Sequence, residues 1–252
     1  MIEVAIPTLR LVQNKPMQAT AKEIGSELRQ LANPEDAAVL QRFFKTGKGD
    51  YGEGDVFLGI RVPQTRRLAR RFRGTGLPEM LALLQSEYHE ARLLALLMMV
   101  DLFQPSEPRQ QEEIYRAYLA NTARINNWDL VDSSAHKIVG PWLLDRSHAP
   151  LFRLAKSSNL WERRIGLLAT FHFIALGRFD TSLAIADLLL DDPHDLIHKA
   201  VGWMLREIGK RNLAAEEAFL TPRYPHMPRT MLRYAIEKFP ETKRQDYLKG
   251  KI

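Results

Sequence analysis

HEARLLAL at residues 89–96, NNWDLVD at 126–132, WERRIGLL at 161–168 and LIHKAVGW at 196–203 decide how this chain folds. Each lies near the start of a long apolar stretch, and each carries one non-aliphatic residue in the same register. These residues are Arg92, Trp128, Arg164 and Lys199, spaced 36, 36 and 35 residues apart. A shorter helical stretch precedes each long one. Paired helices repeating with a period in the thirties to forties predict an all-α fold, an α-solenoid of HEAT-like repeats. Such a superhelix curves, and its second helices line the concave side. The four register residues are expected to face that concavity.

Working outward, apolar residues keep a helical period over 18–32, 35–45, 64–73, 78–86, 89–103 and 109–120. The pattern continues over 128–145, 148–157, 161–176, 180–190, 195–211, 213–220 and 228–238. Pro34 before Glu35 and Asp36, and Pro78 before Glu79, are helix starts. The expected organisation is a single repeat domain over 1–252, with a helical cap at 1–33. One segment breaks the pattern: KTGKGDYGEGDVFLG at 45–59 holds five glycines, which rule out a helix. It predicts either a short β-hairpin or an ordered loop.

Composition bounds the function. The 252 residues are 45% hydrophobic and 26% charged, enough for a substantial core. The absence of cysteine excludes a disulfide scaffold, a thiol nucleophile and a thiolate zinc site. No apolar run approaches the ~20 residues of a membrane span, and the N-terminus lacks a signal-peptide pattern, so a cytoplasmic protein is expected. The net charge of +6 suits a polyanionic partner, and it is unevenly spread. Residues 61–73 hold six arginines and no acid, and from Arg223 onward eight Lys/Arg face three Asp/Glu. No metal site is expected: His194 and His198 are four apart but lack a third ligand, and Asp50, Glu53 and Asp55 lack calcium-loop spacing.

The repeat register gathers chemistry on one surface. Trp128 and Asp132 share a helix face at i,i+4, as do Lys199, Trp203 and Arg206 at i, i+4 and i+7. Arg164 lies between them in chain order. Two indoles, a carboxylate and several cations in one groove suit a sugar–phosphate polymer: cations hold phosphates, indoles pack on sugars, and a carboxylate stabilises developing positive charge. Each residue also has a plain structural role. Trp142 and Trp161 read as core, Asp132 could simply pair with a cation, and Asp129 could favour the helix N-terminus.

NNWDLVD, LWERRIG and HKAVGWMLRE, in that order and spacing, resemble the motifs of the AlkD-like family of bacterial DNA alkylation repair proteins. The resemblance runs from GDVFLGIRVP through MPRTMLRYAIEKFPE. It implies a DNA N-glycosylase that removes N3- and N7-alkylated purines from duplex DNA without a cofactor, as a cytoplasmic, nucleoid-associated monomer. By resemblance, Asp132 is the catalytic carboxylate, Trp128 and Trp203 are the paired indoles, Arg164 is the groove arginine, and Arg206 contacts the DNA backbone. The glycine-rich segment marks a subgroup, some members of which bind branched DNA without excising bases. Phe43 stands near the place where the glycosylase type carries a tyrosine. The expected DNA contacts are completed by Lys199 and Arg163, by Lys45, Lys48 and Tyr51 of the glycine-rich segment, and by Arg229 and Arg233 in the basic C-terminal stretch.

Overall fold

Capping chemistry fixes where the helices begin. The Thr20 hydroxyl accepts from the Glu23 amide while Glu23 accepts from the Thr20 amide, a reciprocal cap that starts α1 (Ala21–Arg29). The Asn33 side chain accepts from the amides of Glu35 and Asp36 and starts α2 (Pro34–Phe43). The computed structural model describes residues 17–252, so residues 1–16 of the expected cap lie outside the described residues. There follow α3 (Val62–Arg71), α4 (Leu77–Leu84), α5 (His89–Phe103), α6 (Pro108–Ala120), α7 (Trp128–Leu143) and α8 (Ala149–Ala155). Then come α9 (Leu160–Ala169), α10 (Phe171–Ala175), α11 (Asp180–Leu188), α12 (Asp195–Gly209), α13 (Leu213–Leu220), α14 (Arg229–Ala235) and α15 (Glu241–Lys249). No described helix is long and apolar enough to cross a membrane.

The fold is the expected all-α helical-repeat solenoid. Shorter helices α4, α6, α8 and α11 each pack on the longer helix near them in sequence, and α5, α7, α9, α12 and α14 pack in succession. The core runs along this inner row. Helix α5 is enclosed so completely that 13 of its 15 residues are buried, including His89, Glu90 and Arg92. Close stacking demands small residues at crossings. A Cβ on Gly202 of α12 would lie 2.4 Å from the Met231 carbonyl oxygen and 2.5 Å from the Tyr234 Cβ of α14, so only glycine lets these helices approach.

Two expectations are corrected. The helix predicted at 161–176 breaks into α9 and α10 at Thr170, whose hydroxyl donates back to the Leu167 carbonyl at 2.7 Å and competes with the helical ladder. The stretch at 228–238 closes as a 3-10 turn over Ile236–Lys238, and α15 follows without having been expected. Its cues were Pro240 before Glu241 and a left-handed Gly250 at its end.

Of the two alternatives expected for 45–59, the ordered loop forms and the β-hairpin does not. Among the described residues the segment makes one isolated parallel bridge, Val56 to Tyr88. Its amides close tight turns instead, Asp50 to Gly47, Glu53 to Asp50 and Asp55 to Gly52, while the Gly52 amide reaches back to the Lys45 carbonyl. Beyond them, the buried Glu90 carboxylate accepts the amides of Leu58, Gly59 and Ile60 at 2.9–3.0 Å. A side chain of α5 thus takes the hydrogen bonds that a partner strand would have supplied. Gly59 has φ +82, and a Cβ there would lie 2.0 Å from the Asn33 carbonyl oxygen, so this turn requires glycine.

Candidate functional site

A cleft of about 620 Å³ opens between the glycine-rich segment and helices α7, α9, α12 and α14. Its walls include Trp128 and Asp132 from α7, Arg164 from α9, and Lys199, Trp203 and Arg206 from α12, so the expected constellation does converge. Lys45 and Tyr51 of the glycine-rich segment join them. Phe43, His194, Asp195, Leu196 and Tyr234 also line the cleft. Of these, the sequence marked Phe43 by resemblance and His194 only as half of a pair that lacks a third metal ligand.

The carboxylate is held firmly. Arg164 donates to both oxygens of Asp132, Nε to Oδ1 and Nη2 to Oδ2, each at 2.8 Å. A third guanidinium nitrogen is fixed by the Leu196 carbonyl at 2.5 Å. The Asp132 side chain remains 18% exposed while that of Arg164 is only 6% exposed. A bidentate pair of this kind fixes orientation as well as charge. Burial pushes the Asp132 carboxyl above its ordinary range, aided by the nearby charge of Asp129 and opposed by the Arg164 guanidinium.

Aromatic stacking fixes Trp128. The Phe44 ring lies on the indole at 5.1 Å and 14°. Phe57 stacks on Phe44 at 4.8 Å, and the His89 imidazole stacks on Phe57 at 4.4 Å. Phe43 meets the indole edge-on at 6.1 Å and is itself 62% exposed. Across the cleft, Trp203 leans on Phe171 at 5.6 Å.

Beneath Trp128 lies a buried charge network. His89 sits between two carboxylates, with Nδ1 2.7 Å from Asp55 and Nε2 2.8 Å from Asp129 at the start of α7. Asp55 also receives the Arg92 guanidinium and, at 3.1 Å, the Asn127 amide. Burial alone would lower the His89 pKa, but the two carboxylates outweigh it and raise the value to about 9. His89 is therefore an imidazolium at neutral pH, donating from both nitrogens. The network ties the glycine-rich segment to α5 and to the helix that presents Trp128 and Asp132.

Sequence reasoning missed this network and misplaced Arg92. The sequence expectation set Arg92 on the concave surface, but its side chain is 5% exposed and donates to Asp55 and to the carbonyls of Ser86 and Glu87. The glycine-rich segment, through Asp55, covers the first repeat where the later repeats stay open. The available signal was three ionisable residues, His89, Glu90 and Arg92, opening a helix whose next eight residues, Leu93–Val100, are all apolar. Trp142 and Trp161 are buried, as expected of core residues.

The other expected contacts scatter. Arg163 turns away to a two-point pair with Asp192, at 2.6 and 3.3 Å, outside the cleft wall. Lys48 is exposed beyond the wall, Arg229 donates to the Leu248 carbonyl at 3.0 Å, and Arg233 is exposed beside Tyr234. Within the cleft, Lys199 pairs with Asp195 at 2.6 Å and Arg206 pairs with Glu237. Among the described residues, no three His, Asp or Glu side chains converge as a metal site.

The likenesses to known proteins agree with the fold. A predicted DNA alkylation repair enzyme from Enterococcus faecalis superposes with a TM-score of 0.65 at 19% identity, over 83% of this chain and 97% of that one. The protein smu.31 from Streptococcus mutans UA159 superposes with a TM-score of 0.51 at 17% identity, over 88% and 99%. No curated protein sequence matches. Residues 24–239 match the family described as DNA alkylation repair enzyme, a span that includes every residue lining the cleft, and the chain belongs to that family.

Proposed function

We propose that this protein is an AlkD-like DNA glycosylase that hydrolyses the N-glycosidic bond of N3- and N7-alkylated purines in duplex DNA. The observation that carries this reading is the partly exposed Asp132 carboxylate, clamped by Arg164 in a cleft that also holds the indoles of Trp128 and Trp203. An alkylated purine is already cationic and leaves as a neutral base, so it needs little acid assistance. The barrier lies in the positive charge that grows on the deoxyribose. A fixed carboxylate stabilises that charge and orients the attacking water, and indole faces add cation–π attraction.

In this reading Arg164 positions Asp132, and the phosphates fall to Lys45, Lys199 and Arg206. The last two are held by partly exposed ion pairs with Asp195 and Glu237. Exposed pairs contribute only about 0–1 kcal/mol, so a phosphate can take over either cation. No cofactor takes part.

A second reading, a non-catalytic binder of branched or distorted DNA, draws support from one observation. Both Asp132 oxygens are committed to Arg164, while the glycine-rich segment brings Lys45 and Tyr51 into the wall. Single-turnover base release from a duplex carrying one N7-methylguanine separates the two. The glycosylase predicts release by wild type and a loss of about 100-fold or more in Asp132→Asn, the scale of removing one preorganised electrostatic group. Salt-sensitive DNA binding by both proteins, with no release of N7-methylguanine or N3-methyladenine by either, would overturn the glycosylase in favour of the binder.

A further inference from the structure

Helix α3 and the turn after it carry unneutralised positive charge. Arg66, Arg67, Arg70, Arg71 and Arg73 are all exposed, with no acidic residue among them in sequence. Arg71 is paired with Glu27 and Arg61, before the helix, with Asp36. Among the described residues, no carboxylate comes within ion-pair distance of Arg66, Arg67, Arg70 or Arg73. Arg66 and Arg70 stand one turn apart on the same face. Helices α3 and α7 flank α5, both packing on it, and Lys137 of α7 is half-buried, with burial and repulsion from Arg66 holding its ammonium below the usual lysine range and Asp101 acting the other way. Like charges crowded against one another raise the free energy of the unliganded protein, and an anion between them lowers it.

Lys137 shares α7 with Asp132, so the anion nearest to hand is the backbone of the DNA proposed for the cleft. Lys137 follows Asp132 by five residues on one helix, about 7.5 Å along its axis at ~1.5 Å per residue. Ser133 and Lys137 are partly exposed on the stripe of α7 next to Asp132 and His136. We infer that Arg66 and Arg70 of α3, with Lys137 of α7, form a second phosphate-binding track that grips the DNA backbone beyond the cleft. The inference rests on the DNA-binding part of the proposed function and not on catalysis. It also accounts for how a cleft whose own cations are mostly paired can hold a duplex.

Fluorescence anisotropy of an unmodified 21-base-pair duplex over a series of KCl concentrations tests it. Each phosphate contact contributes about −0.9 to the slope of log affinity against log salt, so Arg66→Ala/Arg70→Ala/Lys137→Ala should flatten the slope by about 2–3. Affinity at low salt should fall at least tenfold. Arg66→Lys/Arg70→Lys should keep the wild-type slope. Arg109→Ala/Arg153→Ala/Lys156→Ala, which removes the same charge from α6 and α8 on the outer row, should change it by less than 0.5. Wild-type binding with an unchanged slope in the α3/α7 variant would overturn this inference alone and assign the patch to another polyanion. A wild type that fails to bind DNA would overturn the proposed function, and this inference with it.

Discussion

The His89 network sets a sharp pH dependence on stability. In the unfolded chain His89 titrates near 6.5, and in the fold near 9, held there by Asp55 and Asp129 with its side chain only 2% exposed. A group whose pKa rises on folding contributes stability that is complete below the unfolded value and is lost as pH climbs through the folded one. The window is therefore pH 6.5 to 9. The gap corresponds to about 3 kcal/mol at ~1.4 kcal/mol per pH unit, a sizeable part of the ~5–15 kcal/mol that holds a typical domain together. His89→Gln keeps the size and one hydrogen bond but cannot carry the charge. Urea unfolding of both proteins at pH 6.0, 7.5 and 9.5 makes the measurement, because titrations common to both cancel in the difference. Wild type should exceed His89→Gln by about 3 kcal/mol more at pH 6.0 than at pH 9.5. Two parallel pH profiles would refute the imidazolium bridge, and with it the account of how Asp129 anchors the start of α7.

Two further predictions probe the packing. Gly202→Ala places a Cβ 2.4 Å from the Met231 carbonyl oxygen, so it should destabilise by about 1–3 kcal/mol or more as α12 and α14 are forced apart, read as a fall in thermal midpoint. Burial, with the neighbouring Glu217 charge, pushes the Glu216 carboxyl up to about 8, while in the unfolded chain it titrates near 4.5. Wild type should therefore lose stability as pH rises from 4.5 to 8. Glu216→Gln, which never ionises, should gain thermal midpoint relative to wild type across that window, and an equal difference at pH 5 and pH 9 would show that Glu216 is already ionised in the fold.

The architecture was legible because helical period and repeat spacing are local properties. A 35–36-residue recurrence of apolar helices leaves no other way to bury those faces than stacking, and stacking fixes which register faces inward. The same logic brought Trp128, Asp132, Arg164, Lys199, Trp203 and Arg206 to one cleft, as α7, α9 and α12 are successive members of the inner row. The register failed at Arg92 because that rule assumes an open concave face, and in the first repeat the glycine-rich segment covers it. Nor does spacing reveal which ion pairs form: Arg163 and Arg164 are adjacent in sequence, yet one turns to Asp192 and the other to Asp132.

By itself, then, the sequence determined the solenoid, its inner row and the residues available to the cleft, since all follow from periodicity along one chain. Tertiary structure decided what those residues do there. Whether Asp132 is clamped, whether His89 is charged and whether the 45–59 segment pairs as strands depend on groups 32 to 40 residues away that meet only after the helices stack. Hydrogen bonds and buried charges are short-range and directional, so they are settled by final distances of a few ångströms rather than by pattern.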